Sequence, residues 1–417
     1  MEKKCIVLVA SLDTKSEESE FVKEILERKD ISVTTIDVGT GMRGKPAFIP
    51  DYSAEDVARA AGSTVSEILQ QGKEKHDDTA FMDMMAKGAI AIVNKIYAEG
   101  KLDGIFSLGG TAGTHMATTV MRALPFGVPK VMVSTAAGSA HVESWVGTKD
   151  IVMIPSIADI VGLNRITKNV LRKAAGAIHG MVFAGDEPIS ERPLIAVTTL
   201  GGTTETAMRF KKRLEDEGFE VVVFHAIGIG GKTMEEMARE GKINGVFDMS
   251  TNEVLDHLYG GMTDGGPDRL SVVGAMGLPY LVAPGNLDHL IYTSKEDIPE
   301  QFKARKVFSH GTSIHIIRSR KEEMENIGKV MAEKLNKAKG PVKIIFPLKG
   351  FSFANVHVDE KEFTDTEADR LLLETLRKEL RSDIDIIECE LHINDEAFAY
   401  KAANVYEELY AQKKEKV

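Results

Sequence analysis

The chain has 417 residues, 43% of them hydrophobic and 28% charged, a balance that suits two globular domains of ordinary size. Its formal net charge of −11 argues against a nucleic-acid partner, because a phosphate backbone attracts basic surfaces. No apolar run reaches the roughly 18 residues of a membrane span. The two cysteines, Cys5 and Cys389, form neither a disulfide framework nor a zinc pattern, so a cytoplasmic chain with no membrane partner is expected.

From the N-terminus, Met1–Ile6 leads directly into a strand, without the layout of a signal peptide. Ile6–Ala10 reads as a short buried parallel strand, ended by the polar turn Ser11-Leu12-Asp13-Thr14-Lys15. Phe21, Val22, Ile25 and Leu26 then recur at helical spacing. Ile31–Gly39 is a second strand whose end carries Asp37 and Gly39. Residues 40–100 are mostly helical in pattern, after a loop at Gly41–Pro46 that is expected to be mobile. Leu102–Leu108 is a third strand, Gly109–Thr114 a glycine-rich turn, and a helix begins near His115. Lys130–Ser134 is a fourth strand, running into the small residues Thr135–Ser139.

After the polar, proline-bearing stretch Glu187–Pro193 the same order returns. Leu194–Thr198 is a strand, Gly201–Glu205 a turn, Ala207–Glu217 a helix and Glu220–His225 a strand. Asp13 aligns with Gly201 and Asp37 with His225, both at a spacing of 188, whereas Leu102–Leu108 matches Ile243–Met249 at 141. The first copy therefore carries 47 more residues, within 40–100, the difference between those spacings. Lys130–Ser134 likewise parallels Tyr280–Pro284. Strands alternating with helices imply parallel sheets covered on both faces. The expected fold is α/β: two doubly wound Rossmann-like lobes with mainly parallel sheets, related by internal duplication. The first lobe spans 1–186, with a helical insertion at about 40–100. The second spans 193–417, with two or three strands and at least two helices added after 340.

In such sheets ligands bind outside the carboxyl ends of the strands. Gly109-Gly110-Thr111-Ala112-Gly113-Thr114 has the strand–glycine turn–helix context in which backbone N–H groups approach an anion, with Thr111 and Thr114 as hydroxyl donors. It matches neither a dinucleotide fingerprint nor a Walker A loop, and a tight turn alone would also use glycines. Ser134 and Thr135 either add to that site or cap a helix. Asp13, Thr14 and Lys15 offer an acceptor for hydrated Mg²⁺, a hydroxyl and a cation for phosphate. Asp37 stands where acids hold a ribose hydroxyl. In the second lobe Gly228-Ile229-Gly230-Gly231-Lys232-Thr233 falls short of a P-loop because Ala226 holds the first glycine position. His225, Glu253 and His289 lie at strand ends and form a candidate catalytic set, with His225 and Glu253 as an acid–base pair if they face each other. No metal-ligand spacing stands out.

Ser11–Lys15, Ser107-Leu108-Gly109-Gly110-Thr111, Asp248–Glu253, Pro284–Asp288 and His392-Ile393-Asn394-Asp395, in this order, resemble an uncharacterised bacterial and archaeal family. That family is similar to the ATP-binding N-terminal region of the tomato mosaic virus resistance protein. The resemblance covers essentially the whole chain. It implies two Rossmann-like lobes, ATP bound in the first lobe at Ser11–Lys15 and Gly109–Thr114, and self-association, but no reaction; Mg²⁺ with the nucleotide and a homodimer are expected beside it. The alternative is an enzyme for a small phosphorylated or carboxylated metabolite held between the lobes.

Overall fold

The computed structural model describes residues 3–41, 43–75, 78–185 and 190–414. The chain divides into two compact units, Met1–Pro188 and Ile189–Val417. Met42 of the expected mobile loop, and 186–189 around the expected boundary, lie outside the described residues.

The N-terminal lobe runs β1 (Cys5–Ala10), α1 (Leu12–Glu27), β2 (Ser32–Asp37), α2 (Ala54–Ala60), α3 (Val65–Lys75), α4 (Asp78–Ala98), β3 (Gly104–Gly109), α5 (Thr111–Arg122), β4 (Lys130–Ser134), α6 (Val142–Val146), β5 (Ile151–Pro155) and α7 (Arg165–Ala184). Its five strands are all parallel, in the order β2-β1-β3-β4-β5. Alternation along β1 decides what each face buries. Val7 and Val9 join Ile36, Ile105 and Met132 in a core closed by Phe81, Met85 and Ala89 of α4 and Met116 and Val120 of α5. Ile6 and Leu8 face the other way, into Val22 and Leu26 of α1 and Leu171, Ala174 and Ile178 of α7. The helical insertion of the sequence reading is α2, α3 and α4, all on the α5 side of the sheet.

The C-terminal lobe runs β6 (Leu194–Thr199), α8 (Thr204–Asp216), β7 (Glu220–His225), α9 (Ile229–Arg239), β8 (Gly245–Ser250), α10 (Asn252–Tyr259), α11 (Val272–Ala275), β9 (Tyr280–Gly285), β10 (His289–Tyr292), β11 (Val307–His310), β12 (Ile314–Arg318), α12 (Lys321–Leu335), β13 (Val342–Pro347), α13 (Glu360–Phe363), α14 (Thr366–Glu379), β14 (Asp385–Cys389) and α15 (Glu396–Lys414). Six strands form a parallel sheet in the order β14-β13-β9-β8-β6-β7. A separate antiparallel sheet, β10-β12-β11, was not resolved as a sheet in the sequence. Two additions after residue 340 are strands, β13 and β14, as the pattern implied.

Setting β6, β7, β8, β9 and β13 against β1 to β5 gives one strand order in both lobes. The register corrects the alignment by one residue. Ile6 pairs with Val33 and Gly104, and Ile195 pairs with Val221 and Gly245. Ile195 is thus the equivalent of Ile6, and Gly202 rather than Gly201 stands for Asp13. The spacing of 141 for the third strand holds, since Gly104 answers to Gly245. Among the described residues no helix is long and apolar enough to cross a membrane.

Candidate functional site

In the order β2-β1-β3-β4-β5 the strand order reverses between β1 and β3, and the crevice opens at their carboxyl ends. A cavity of about 790 Å³ lies there. Its wall is built from Ser11, Asp13, Thr14 and Lys15 after β1, Val38, Gly39, Thr40 and Arg43 after β2, and Leu108–Gly113 from the end of β3 into α5. The remaining lining side chains are apolar: Leu69, Phe81, Met82, Met116 and Val161.

The glycines of this wall do different things. A Cβ on Gly109 would sit 3.2 Å from the Gly113 Cα, so that glycine lets the start of α5 fold back onto β3. A Cβ on Gly39 would come within 2.7 Å of Asp13 Oδ1. Gly110 has room, with Thr135 Oγ1 the nearest atom at 3.8 Å. Gly110 is the N-cap of α5 at φ −79° and ψ −165°, and no side chain caps the helix. The first-turn amides of Thr111, Ala112 and Gly113 have no acceptor among the described residues, and all three residues line the cavity. A helix start in this state concentrates unsatisfied N–H groups and the positive end of the helix dipole at one point.

The predicted ligands of this lobe divide into those that face the cavity and those that shape it. Asp13, Thr14, Lys15, Gly39, Gly109, Gly110 and Thr111 line it. Asp13 Oδ2 accepts from the amide and hydroxyl of Thr40, at 3.2 and 2.7 Å. Lys15 Nζ donates to the Ile160 carbonyl at 2.6 Å, which ties the loop after β5 to this turn. Asp37 stands behind the wall and is buried. Its Oδ1 accepts from Leu12 N and Gly39 N, both at 2.9 Å, so it braces the start of α1. Burial pushes its carboxyl above the ordinary range, against those two amides. Thr114 and Ser134 are buried, with hydroxyls 2.7 Å apart, and Thr114 Oγ1 also meets the Gly110 carbonyl at 2.8 Å. They clamp the β3 and β4 turns together. Thr135 is exposed beside Gly110.

The C-terminal lobe gives His225, Glu253 and His289 different surroundings. Glu253 is fully buried, while His225 is exposed at the end of β7. Glu253 Oε1 accepts from Gly228 N at 2.6 Å and Gly231 N at 3.0 Å, and Oε2 accepts from Arg269 Nε at 2.7 Å. Its carboxylate is the anion for the glycine loop 228–231, so that loop is neither a P-loop nor open to phosphate. Arg269 also grips Asp248 with both terminal nitrogens, at 2.5 and 2.6 Å, and Tyr280 donates to the same carboxylate at 2.8 Å. His289 is buried in contact with Asp288, Nδ1 to Oδ1 at 2.9 Å, and Ser352 donates to Asp288 at 2.6 Å. Burial would raise Asp288, but His289, Arg318 and the Ser352 hydroxyl outweigh it and hold the carboxyl low. His225, Glu253 and His289 thus have no hydrogen-bond partner in common, and the acid–base contact expected of His225 with Glu253 is not formed. The physical reason is that the β8 turn, Ser250–Glu253, has no exposed surface at all.

A second cavity, of about 590 Å³, does exist in this lobe, between Glu205, Lys349, Phe353, His357, His392 and Asn394. His392 takes Asn394 N on Nδ1 at 3.1 Å and meets the Ser352 carbonyl with Nε2 at 3.0 Å, which makes it a loop brace with a neutral ring. Burial holds its pKa below the ordinary value.

Arg43, Thr40, Leu69, Phe81, Met82 and Met116 escaped the sequence reading. Arg43 and Thr40 sit in a loop with no periodic signal. The four apolar residues looked like core on amphipathic helices, and only the fold shows that one edge of that core is open.

Two profiles of the uncharacterised protein family UPF0261 match the chain, the N-terminal domain over 4–187 and the C-terminal domain over 192–410. A UPF0261 protein of Clostridium tetani is 42% identical over 402 residues, 96% of this chain and 97% of that one. The ToMV resistance protein Tm-1(GCR237) of Solanum lycopersicum is 32% identical over 420 residues, 94% of this chain but 54% of the tomato protein. Among solved structures, a putative UDP-N-acetylglucosamine 2-epimerase from Listeria monocytogenes aligns over 97% of this chain and 94% of its own, at 11% identity and a TM-score of 0.22. That likeness is too slight to bear on function.

Proposed function

The chain belongs to the uncharacterised protein family UPF0261, and from that premise and the geometry of the N-terminal cavity we propose that it binds ATP there, with the phosphates against the start of α5. The observation that carries this reading is the uncapped first turn of α5: three amides without internal acceptors, all lining a cavity large enough for a nucleotide. The choice of ATP rests on the resemblance of the strand-end motifs. Arg43, which has no ion-pair partner among the described residues, is the cation available to phosphate, because Lys15 is committed to the Ile160 carbonyl. The oxygen donors fit Mg²⁺. Asp13 has one oxygen outside the Thr40 contacts, Thr14 is exposed beside it, and a hard cation that keeps most of its water takes one carboxylate plus phosphate oxygens. Bound Mg²⁺ would neutralise part of the phosphate charge.

Gly110→Val tests the placement. Its Cβ meets no atom closer than 3.8 Å, so the lobe keeps its fold while the side chain enters the phosphate position. Calorimetry should show ATP binding weakened by more than about tenfold, or roughly 1.4 kcal/mol. Unchanged affinity in a folded variant rejects the placement.

A further inference from the structure

We infer that the helical insertion supplies the nucleoside subsite of this cavity, and that it holds the base by apolar contact rather than by reading its edge. The inference rests on the ATP proposal and extends it. The cavity has two chemically different walls. The polar one comes from the turns after β1 and β2 and from the first turn of α5. The apolar one, apart from Val161 in the loop after β5, is Leu69 of α3, Phe81 and Met82 of α4, and Met116 of α5.

These four residues belong to a different packing environment from the turn after β1. Phe81 and Met116 are part of the core on the α5 face of the sheet, with Leu69 and Met82 packed against it. Leu12, on the turn after β1, belongs to the core on the opposite face. Phe81 is 8% exposed and Met116 4%, so only a strip of each reaches the cavity. An exposed apolar strip opening from a closed core is costly unless something covers it. An aromatic heterocycle does so, and Phe81 with two methionines is suited to it: an aromatic ring and polarisable thioethers that adapt to shape. The side chains of this wall carry no hydrogen-bonding group except the weak thioether acceptors. A wall of that kind distinguishes one purine from another poorly, because specificity of many orders needs buried polar groups left unpaired by the wrong ligand. The C-terminal lobe has no counterpart to this wall: its shorter connection between β7 and β8 holds only α9.

Titration calorimetry of the whole chain with ATP, GTP and inorganic tripolyphosphate tests this. The wild type should bind ATP at least about tenfold tighter than tripolyphosphate, and GTP within about tenfold of ATP. Phe81→Ala should weaken ATP by about tenfold or more and leave tripolyphosphate within about threefold. Met82→Ala, at a half-buried position, should move affinities the same way and decides the matter if Phe81→Ala does not fold. Unchanged ATP affinity in both variants overturns the subsite, as does an equal loss for ATP and tripolyphosphate. A wild type that binds tripolyphosphate as tightly as ATP also overturns it, while leaving the phosphate site standing. A wild type that binds neither ligand removes the ATP proposal itself.

Discussion

The turn after the third strand takes opposite forms in the two lobes. In the N-terminal lobe it is Gly109–Gly113, open to a cavity and rich in unsatisfied amides. In the C-terminal lobe it is Ser250–Val254, buried throughout. At the spacing of 141 that the strand register supports, Ala112 stands where the other lobe has Glu253. Glu253 is an internal anion: it fills the space beside the strand ends and satisfies Gly228 N and Gly231 N. Ala112 leaves the equivalent space empty. One strand plan therefore supports either an open cavity or a sealed core, and the difference lies in whether the chain supplies its own carboxylate.

The largest expected effect comes from breaking the sealed lobe. Arg269→Ala leaves Asp248, Glu253 and Glu235 buried without their shared cation. Removing one partner of a buried ion pair costs about 3–5 kcal/mol. Urea unfolding should show a loss of that size, together with faster hydrogen exchange along α9 and α10. Gly231→Ala should act in the same direction, because its Cβ would fall 1.9 Å from Glu253 Oε2. Gly110→Ala in the open lobe, with 3.8 Å of clearance, should cost under about 1 kcal/mol. Equal costs for the two glycine variants would end the contrast between an open and a sealed turn.

A smaller effect follows from making the lobes alike. Ala112→Glu would put a carboxylate where the phosphates are proposed to lie. The exposed position tolerates the side chain, so the melting transition should stay within a few degrees of wild type. ATP affinity should fall by at least about tenfold, and raising the salt concentration should recover part of it. Binding that is indifferent to this charge would argue that phosphate lies elsewhere.

The layers and the succession of strands and helices were legible because buried parallel strands are continuous apolar runs separated by polar turns, as at Ile6–Ala10 and Lys130–Ser134. The Gly109–Thr114 turn was legible for the same local reason. His225 and Glu253 were not, because whether a strand-end residue faces solvent depends on what a distant segment does. Glu253 is sealed in by Arg269, and His289 by Asp288 and Ser352, contacts that no spacing near the strand ends announces. The apolar wall was hidden for the opposite reason: Phe81 and Met116 obey the pattern of core residues, which in large part they are.

The last contrast concerns protons. Glu235 lies beside Arg269 at 3.7 Å and accepts from Leu270 N at 2.8 Å. Burial raises its pKa from 4.5 to about 7, against the attraction of Arg269, and the nearby Asp248 adds to the rise. Between those two values the folded chain keeps a proton that the unfolded chain has lost. Stability from this group is therefore complete below about pH 4.5 and lost as pH rises through about 7. Glu235→Gln cannot titrate. Its stability relative to wild type should improve as pH rises from 5 to 7, by about 2 kcal/mol across that window. Asp256 and Asp369, both raised to about 6 by burial in the same lobe, keep part of the slope in the variant. Urea midpoints collected at half-unit steps of pH would show the two curves converging or crossing. Parallel curves would mean that Glu235 stays ionised in the fold, as a third carboxylate held by Arg269 rather than a neutral acid.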